Sequence, residues 1–321
     1  MGSFTLLLDS GLMDAFRIWT PYLRNLLKEQ DASLVLWSVT EADVHMRRAV
    51  ENLGKAVPAV FHSWQGIKNV LAESSHVFVI LQPKDHMRAV LEALRVPQPP
   101  HIFSAHGVSV TRQMMTPVVG AWRRGTRSLN SRSVWSFAEP FRYETSVTKM
   151  RHLMADIGPV RGGSIVYTHP TEDVETMTRH AIAMVRRMLG DLRGGQSWKT
   201  TSGVGGVLCL ITNQAEVTVN IESGPQSLLH ATFLGREGKA VLSNTGEGLL
   251  EVQRQMGGTF ENPSLHESTG RPWSLKGWQE HCADPANADP NTPEAALIDI
   301  SIAEAFIVGN GVPLALVVHS E

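Results

Sequence analysis

The sequence predicts a two-domain protein: an α/β domain on a parallel sheet, then a second domain dominated by an open, mostly antiparallel sheet. Three observations carry this. Short apolar runs alternate with helical patterns over roughly the first 120 residues, the rhythm of βαβ units. Residues 197–253 read as strands with no helix between them. The 321 residues also exceed what a single hydrophobic core usually organises, roughly 250–300.

Each element has its own signal. Phe4-Leu8 is an apolar strand, and residues 12–28 follow as a helix with Leu12, Phe16, Trp19, Leu23 and Leu27 spaced by three or four. Ser33-Val39 is a second strand and 41–53 a polar helix. Ala59-Phe61 is a short strand, Trp64-Glu73 a helix, Val77-Leu81 a fully apolar strand, His86-Leu94 a helix and His101-Ser104 a strand. Such an order implies right-handed crossovers between parallel strands. Residues 133–138 then read as a strand, 144–156 as a helix and Gly162-Thr168 as a strand. A strongly amphipathic helix spans 173–189, with acids at its start, Arg186 and Arg187 in its last turn and Gly190 as its stop. Val217, Val219 and Ile221 alternate with polar residues, as in a half-buried antiparallel strand. Gly235-Arg-Glu-Gly238 marks a hairpin, and 257–292 reads as loops. Thr292-Pro293 caps a last helix that presents Ile298, Ile302, Ala305 and Phe306 to a core. The domains are placed at 1–125 and 126–321.

Composition narrows the function. The net charge is −2 and the pI near 6.7, so no basic surplus serves nucleic acid or an anionic membrane. No apolar stretch reaches the ~20 residues of a membrane helix. Met1-Gly2-Ser3-Phe4 opens no signal-peptide pattern, and a cytoplasmic location is expected. Two cysteines, Cys209 and Cys282, form no disulfide framework and suit a reducing compartment. Cys209 lies in an apolar run and reads as core. Cys282 follows His281, a neighbour able to activate a thiol, although packing is the commoner role of such a pair. No histidine pair has metal-ligand spacing with acids or cysteine, so no metal is expected.

This organisation resembles the Gfo/Idh/MocA oxidoreductases. His101-Ile-Phe-Ser-Ala-His-Gly107 sits where that family has a strand ending in Glu-Lys-Pro. Phe137-Ala-Glu-Pro-Phe-Arg-Tyr143, a helix and Ile157-Gly-Pro-Val160 look like its passage into the second domain. The helix bearing His180 and ending at Gly190 looks like the one supplying the family's active-site histidine. Gly235-Arg-Glu-Gly238 and the final helix followed by Gly311-Val-Pro-Leu also fit. The resemblance implies a Rossmann-type first domain, NADP or NAD as cofactor, a small-molecule substrate at the interdomain cleft, and a homodimer or higher homo-oligomer formed through the second-domain sheet.

Several family positions are altered together. The phosphate loop reads Asp9-Ser10-Gly11-Leu12-Met13-Asp14 and keeps only the middle glycine. A carboxylate beside a pyrophosphate is repulsive, although Asp9 and Asp14 serve equally to begin and cap the first helix. Ser10, Gly11 and Leu12 remain the cofactor-loop candidates, with Ser38 at the end of the second strand and Gln82-Pro83 after the fourth. Thr40 stands where an acid would bind ribose. The resemblance places His106 at the position of the catalytic lysine and His180 at that of the second histidine. The acid expected one turn before His180 is Thr176. His106, His180 and Tyr143 are therefore the acid–base candidates, and Arg142, Thr176 and His86 the substrate-binding ones. Aromatic residues around 122–143 and 264–281 hint at an apolar or aromatic ligand. Three functions fit: NAD(P)-dependent oxidoreduction; cofactor-independent acid–base chemistry of the lyase, isomerase or cyclase kind; and non-catalytic ligand binding.

Overall fold

The computed structural model describes residues 3–29, 33–38, 44–53, 59–61, 64, 66–105, 110–128, 133–170, 173–200, 205–246, 249–262, 264–267, 270–284 and 292–315. The chain forms two compact units. One comprises Met1–Ala138 with Ser274–Leu297, the other Glu139–Trp273 with Ile298–Glu321. The expected boundary at 125 therefore falls at 138, and a later segment returns to the first unit. The reason is local: the strand at Trp135–Phe137 pairs in parallel with His101–Ser104, extending the first sheet by one strand.

The first unit runs β1 (Ser3–Leu8), α1 (Met13–Glu29), β2 (Ser33–Ser38), α2 (Val44–Glu51), β3 (Ala59–Phe61), α3 (Ile67–Ala72), β4 (His76–Ile80), α4 (Pro83–Ala93), β5 (His101–Ser104), α5 (Arg112–Ser128) and β6 (Trp135–Phe137). Its six strands lie in the order β3-β2-β1-β4-β5-β6, with every pair parallel. The chain order reverses between β1 and β4, so the loops after these two strands mark the topological switch point where this architecture binds ligands. The α1 periodicity is fulfilled: Phe16, Trp19, Leu23 and Leu27 are buried, packed with Leu6, Leu8, Phe78 and Phe103.

The second unit runs α6 (Pro140–Tyr143), α7 (Thr145–Asp156), β7 (Val160–His169), α8 (Val174–Leu189), β8 (Leu192–Lys199), β9 (Gly205–Thr212), β10 (Glu216–Ser223), β11 (Leu228–Gly235), β12 (Gly238–Gly246), β13 (Leu249–Met256), β14 (Thr259–Phe260) and β15 (Ser264–Glu267). The chain then passes through α9 (Gly270–Ala283), most of which lies in the first unit, and α10 (Pro293–Gly309), which returns to the second, and this unit ends in β16 (Leu314–Ala315). Its ten-stranded sheet follows β14-β13-β12-β11-β7-β10-β9-β8-β16, with β15 on β13. Only the central β7–β10 pair is parallel. Helix α8 starts at Asp173, whose carboxylate accepts the Thr176 N–H at 2.7 Å, and stops at Gly190, φ 83°. Its apolar face buries Met177, Ala181, Met184 and Val185 in one core with Val217, Val219, Ile221 and Phe233.

Two expectations fail here. The 257–292 stretch is not all loop: 270–283 is helical despite Gly270, Pro272 and Gly277, because Leu275 and Trp278 are buried in the first unit's core. On α10, Ile302 and Phe306 are buried as expected, but Ile298 is exposed and Ala303 takes the core position instead.

Candidate functional site

The phosphate loop is occupied by its own side chain. Between β1 and α1 a 3-10 turn covers Ser10–Leu12, and the Asp9 carboxylate caps it, accepting the Gly11 N–H at 2.8 Å. The Asp9 carbonyl accepts the Leu12 N–H at 3.0 Å. In a dinucleotide loop such N–H groups face the pyrophosphate. A Cβ built on Gly11 would lie 3.3 Å from Asp9 Oδ1 and 3.8 Å from Gln82 Nε2, so both side chains stand beside the glycine. These residues do not fit a pyrophosphate, because an incoming phosphate would meet a carboxylate and lose its donor. The capping role of Asp9 is thus observed. Asp14 is exposed and pairs with Arg17 at 2.8 Å.

The other cofactor candidates lie at the same end of the sheet, after β1, at the end of β2 and after β4. Ser10 and Leu12 are half-buried and Gln82 is exposed, with Pro83 in the first turn of α4. Ser38 is buried at the end of β2. His86 is corrected from a substrate contact to a core residue. Its side chain is fully buried, with Nε2 2.7 Å from Ser104 Oγ and its ring stacked at 3° on Phe137. Trp135 Nε1–H donates to the same hydroxyl at 2.9 Å. A ring enclosed in this way reaches no surface on which a substrate could land.

The second unit holds a carboxylate–imidazole pair that the sequence did not reveal. His180, on α8, places Nδ1 2.7 Å from Oε1 of Glu139, which immediately precedes α6. Both side chains are about nine-tenths buried, at 10% and 8% exposure, and the Phe141 ring packs edge-on against the imidazole at 5.7 Å. Burial pushes the Glu139 carboxyl up. The charge and hydrogen bond of His180, with Arg179 and Arg142 nearby, outweigh it and hold the group below its usual value. An ionised carboxylate only accepts hydrogen bonds, so Nδ1 carries the proton. A neutral His180 then has Nε2 as its proton-accepting nitrogen. The expected carboxylate partner thus exists, but it comes from Glu139 rather than position 176. Thr176 is buried on α8 one turn before His180.

Arg142 sits in a buried ionic network. Its guanidinium donates to Asp299 Oδ2, while Arg186 donates to Asp299 Oδ1 at 2.5 Å and to Asp191 at 2.9 Å. Asp299 is 2% exposed. Removing it would leave two buried cations short of a counter-charge, so this cluster ties α6, α8 and α10 together. With its guanidinium committed to Asp299, Arg142 acts on the site by placing positive charge near Glu139. The backbone of Tyr143 ends α6. His106 and Thr40 lie outside the described residues. Among the described residues, His76, His101 and Cys282 form a group able to hold a metal ion. All three lie in the first unit, on residues the sequence reading did not combine.

No family model and no curated protein matches the sequence. Solved structures do. A UDP-N-acetylglucosamine 3-dehydrogenase from Acidithiobacillus ferrooxidans superposes with TM-score 0.74 at 11% identity, covering 97% of this chain and 98% of its own. An oxidoreductase from Agrobacterium radiobacter, solved in complex with NAD+, L-tartaric acid and magnesium, gives 0.73 at 10% identity, covering 97% and 96%. A dehydrogenase from Clostridium difficile gives 0.72 at 11%, covering 96% and 99%. The neighbours are Gfo/Idh/MocA-type oxidoreductases. This chain has their two-domain fold, as the sequence resemblance led one to expect.

Proposed function

We propose that the chain is an enzyme that moves protons on a small organic metabolite without a dinucleotide. His180 is the acid–base group and Glu139 its positioning residue. The observation that carries this is the 2.7 Å Glu139–His180 pair, nine-tenths buried, in the absence of a phosphate loop that fits NAD(P). A carboxylate on Nδ1 fixes the imidazole's tautomer and orientation, the arrangement by which enzymes make a histidine a directional base. In one half-reaction Nε2 removes a proton from carbon or oxygen next to a carbonyl. In the other, the imidazolium returns that proton to a different atom, or to a leaving group. No hydride leaves the substrate and no net oxidation occurs, so the reaction is an isomerisation, elimination or cyclisation. His106 and Tyr143 are the candidates for the second proton-transfer group, and an apolar or aromatic substrate suits the tryptophan-rich segments.

A direct test is deuterium wash-in from D2O into a panel of small hydroxy and keto compounds, followed by mass spectrometry without added cofactor. Exchange should fall about 10²–10⁴-fold in His180→Ala, the usual size of a general acid–base contribution. Undiminished exchange in that variant contradicts the assignment.

A second reading is NAD(P)-dependent oxidoreduction, favoured by the Agrobacterium radiobacter neighbour of the same fold having been solved with NAD+. It requires the cofactor to displace Asp9 from the Gly11 N–H. Exposed Trp198, Ile211 and Leu234 on the large sheet also support a homodimer through that face. Light scattering after size exclusion should give twice the 35.2 kDa chain mass, and a monomer at micromolar concentration removes the proposal.

A further inference from the structure

We propose that His76, His101 and Cys282 form a binding site for a thiolate-preferring transition-metal ion, zinc or copper, remote from the phosphate loop. Their ligand atoms lie within 4.8 Å of one another. Tetrahedral zinc with bonds of about 2.0–2.3 Å holds its ligands about 3.3–3.6 Å apart. Closing the group by about 1 Å is within the reach of side-chain rotation.

The fold explains why these three meet. His76 and His101 are the first residues of β4 and β5 and stand in direct register on adjacent parallel strands. Register partners in a parallel pair project from the same face of the sheet, and the two rings are 5.1 Å apart. Cys282 arrives on the last turn of α9, the segment that returns to this unit. Trp278, one turn earlier and fully buried, anchors that helix by packing against His76 at 5.5 Å and Phe103 at 5.3 Å. All three ligand side chains are partly exposed, so an ion has a way in. Neither Cys209 nor Cys282 is in a disulfide.

The hydrogen bonds around the group say how it would bind. Ser75 Oγ donates to the Ser3 carbonyl at 2.8 Å, and therefore accepts from His76 Nδ1 at 3.0 Å. That leaves the lone pair of His76 Nε2 directed elsewhere, with the second nitrogen held as metal-binding histidines commonly hold it. His101 Nδ1 accepts the Val134 N–H at 3.1 Å, which puts the ring proton on Nε2. His76 and Cys282 are thus the anchoring pair. His101 completes the set by turning its ring and exchanging the Val134 bond for the metal. One thiolate and two imidazoles select zinc or copper over magnesium or calcium. The N-terminal ends of β4 and β5 lie at the opposite end of the sheet from the loops that bind ligands in this architecture. The ion would therefore pin 274–297 to the sheet.

The test is calorimetric titration of untagged, chelator-treated full-length protein with zinc, repeated with cobalt for its thiolate charge-transfer band. One ion per chain, the thiolate band, and a higher melting temperature with zinc are expected. Affinity should drop at least about tenfold in Cys282→Ser and His76→Gln, since even loss of a ligand's hydrogen-bond partner costs about 10–100-fold. Melting curves without metal show that both variants fold. No binding, binding without the thiolate band, or equal binding in the folded variants overturns the site.

Discussion

Glu139 is the residue on which the candidate site turns. Its carboxyl is held below the usual value of 4.5, so the sign of its contribution follows from linkage. The stabilisation is complete above about pH 4.5 and fades as pH falls through the lower folded-state value. Glu139→Gln keeps the shape but loses the charge. At pH 7 it should cost about 1.5–3 kcal/mol, the range for a hydrogen bond to a charged group, and the gap from the parent should narrow below about pH 4.5. Urea denaturation across pH 3–8 measures this, and a gap independent of pH contradicts the assignment. Nitrogen NMR of His180 offers a readout that simple destabilisation would not move: neutral His180 should carry its proton on Nδ1 in the parent and lose that preference in the variant. The helix that carries His180 was legible because of its apolar spacing and its end signals. Glu139 was not, because it lies 41 residues away in a segment without periodicity, where only the fold brings it to α8.

At the scale of elements, close approaches test how the second unit is built. Helix α10 packs on β8 through Gly195. A Cβ there would fall 2.3 Å from the Cys209 carbonyl oxygen and 2.8 Å from the Phe306 ring. Gly195→Ala must push β9 or the helix aside, and overpacking of this kind costs about 1–3 kcal/mol. A shift in the urea midpoint with unchanged slope is expected, and an unchanged midpoint would show that the strand yields freely. The long helices α1 and α8 were readable from the three-and-four spacing of their apolar residues; α1 buries one stripe, while α8 is buried on most of its surface. Helix α9 was not readable, since its glycines and proline hide a face on which, among the described side chains, Leu275 and Trp278 are buried. The His76–His101–Cys282 group was equally hidden: parallel register and a returning helix put together residues that sequence spacing keeps apart.

For the whole molecule, the architecture and the chemistry point in different directions. Neighbours at TM-scores of 0.72–0.77 share the fold of oxidoreductases, and that much followed from the alternation of strands and helices. The order β3-β2-β1-β4-β5-β6 even preserves the switch point between β1 and β4. Yet the turn at that point is closed by Asp9, whose carboxylate takes the Gly11 N–H. The sequence showed the lost glycines but not whether Asp9 faced the ligand or the helix, which only the 2.8 Å bond to Gly11 decides.

The most direct measurement is therefore the melting temperature of the purified chain with millimolar NADH or NADPH, beside Asp9→Gly. Any ligand of the native state raises it. No shift in the parent is expected with either cofactor, and a shift in Asp9→Gly would identify the carboxylate as the obstacle. A clear rise in the parent would contradict the closed loop and restore hydride transfer as the function.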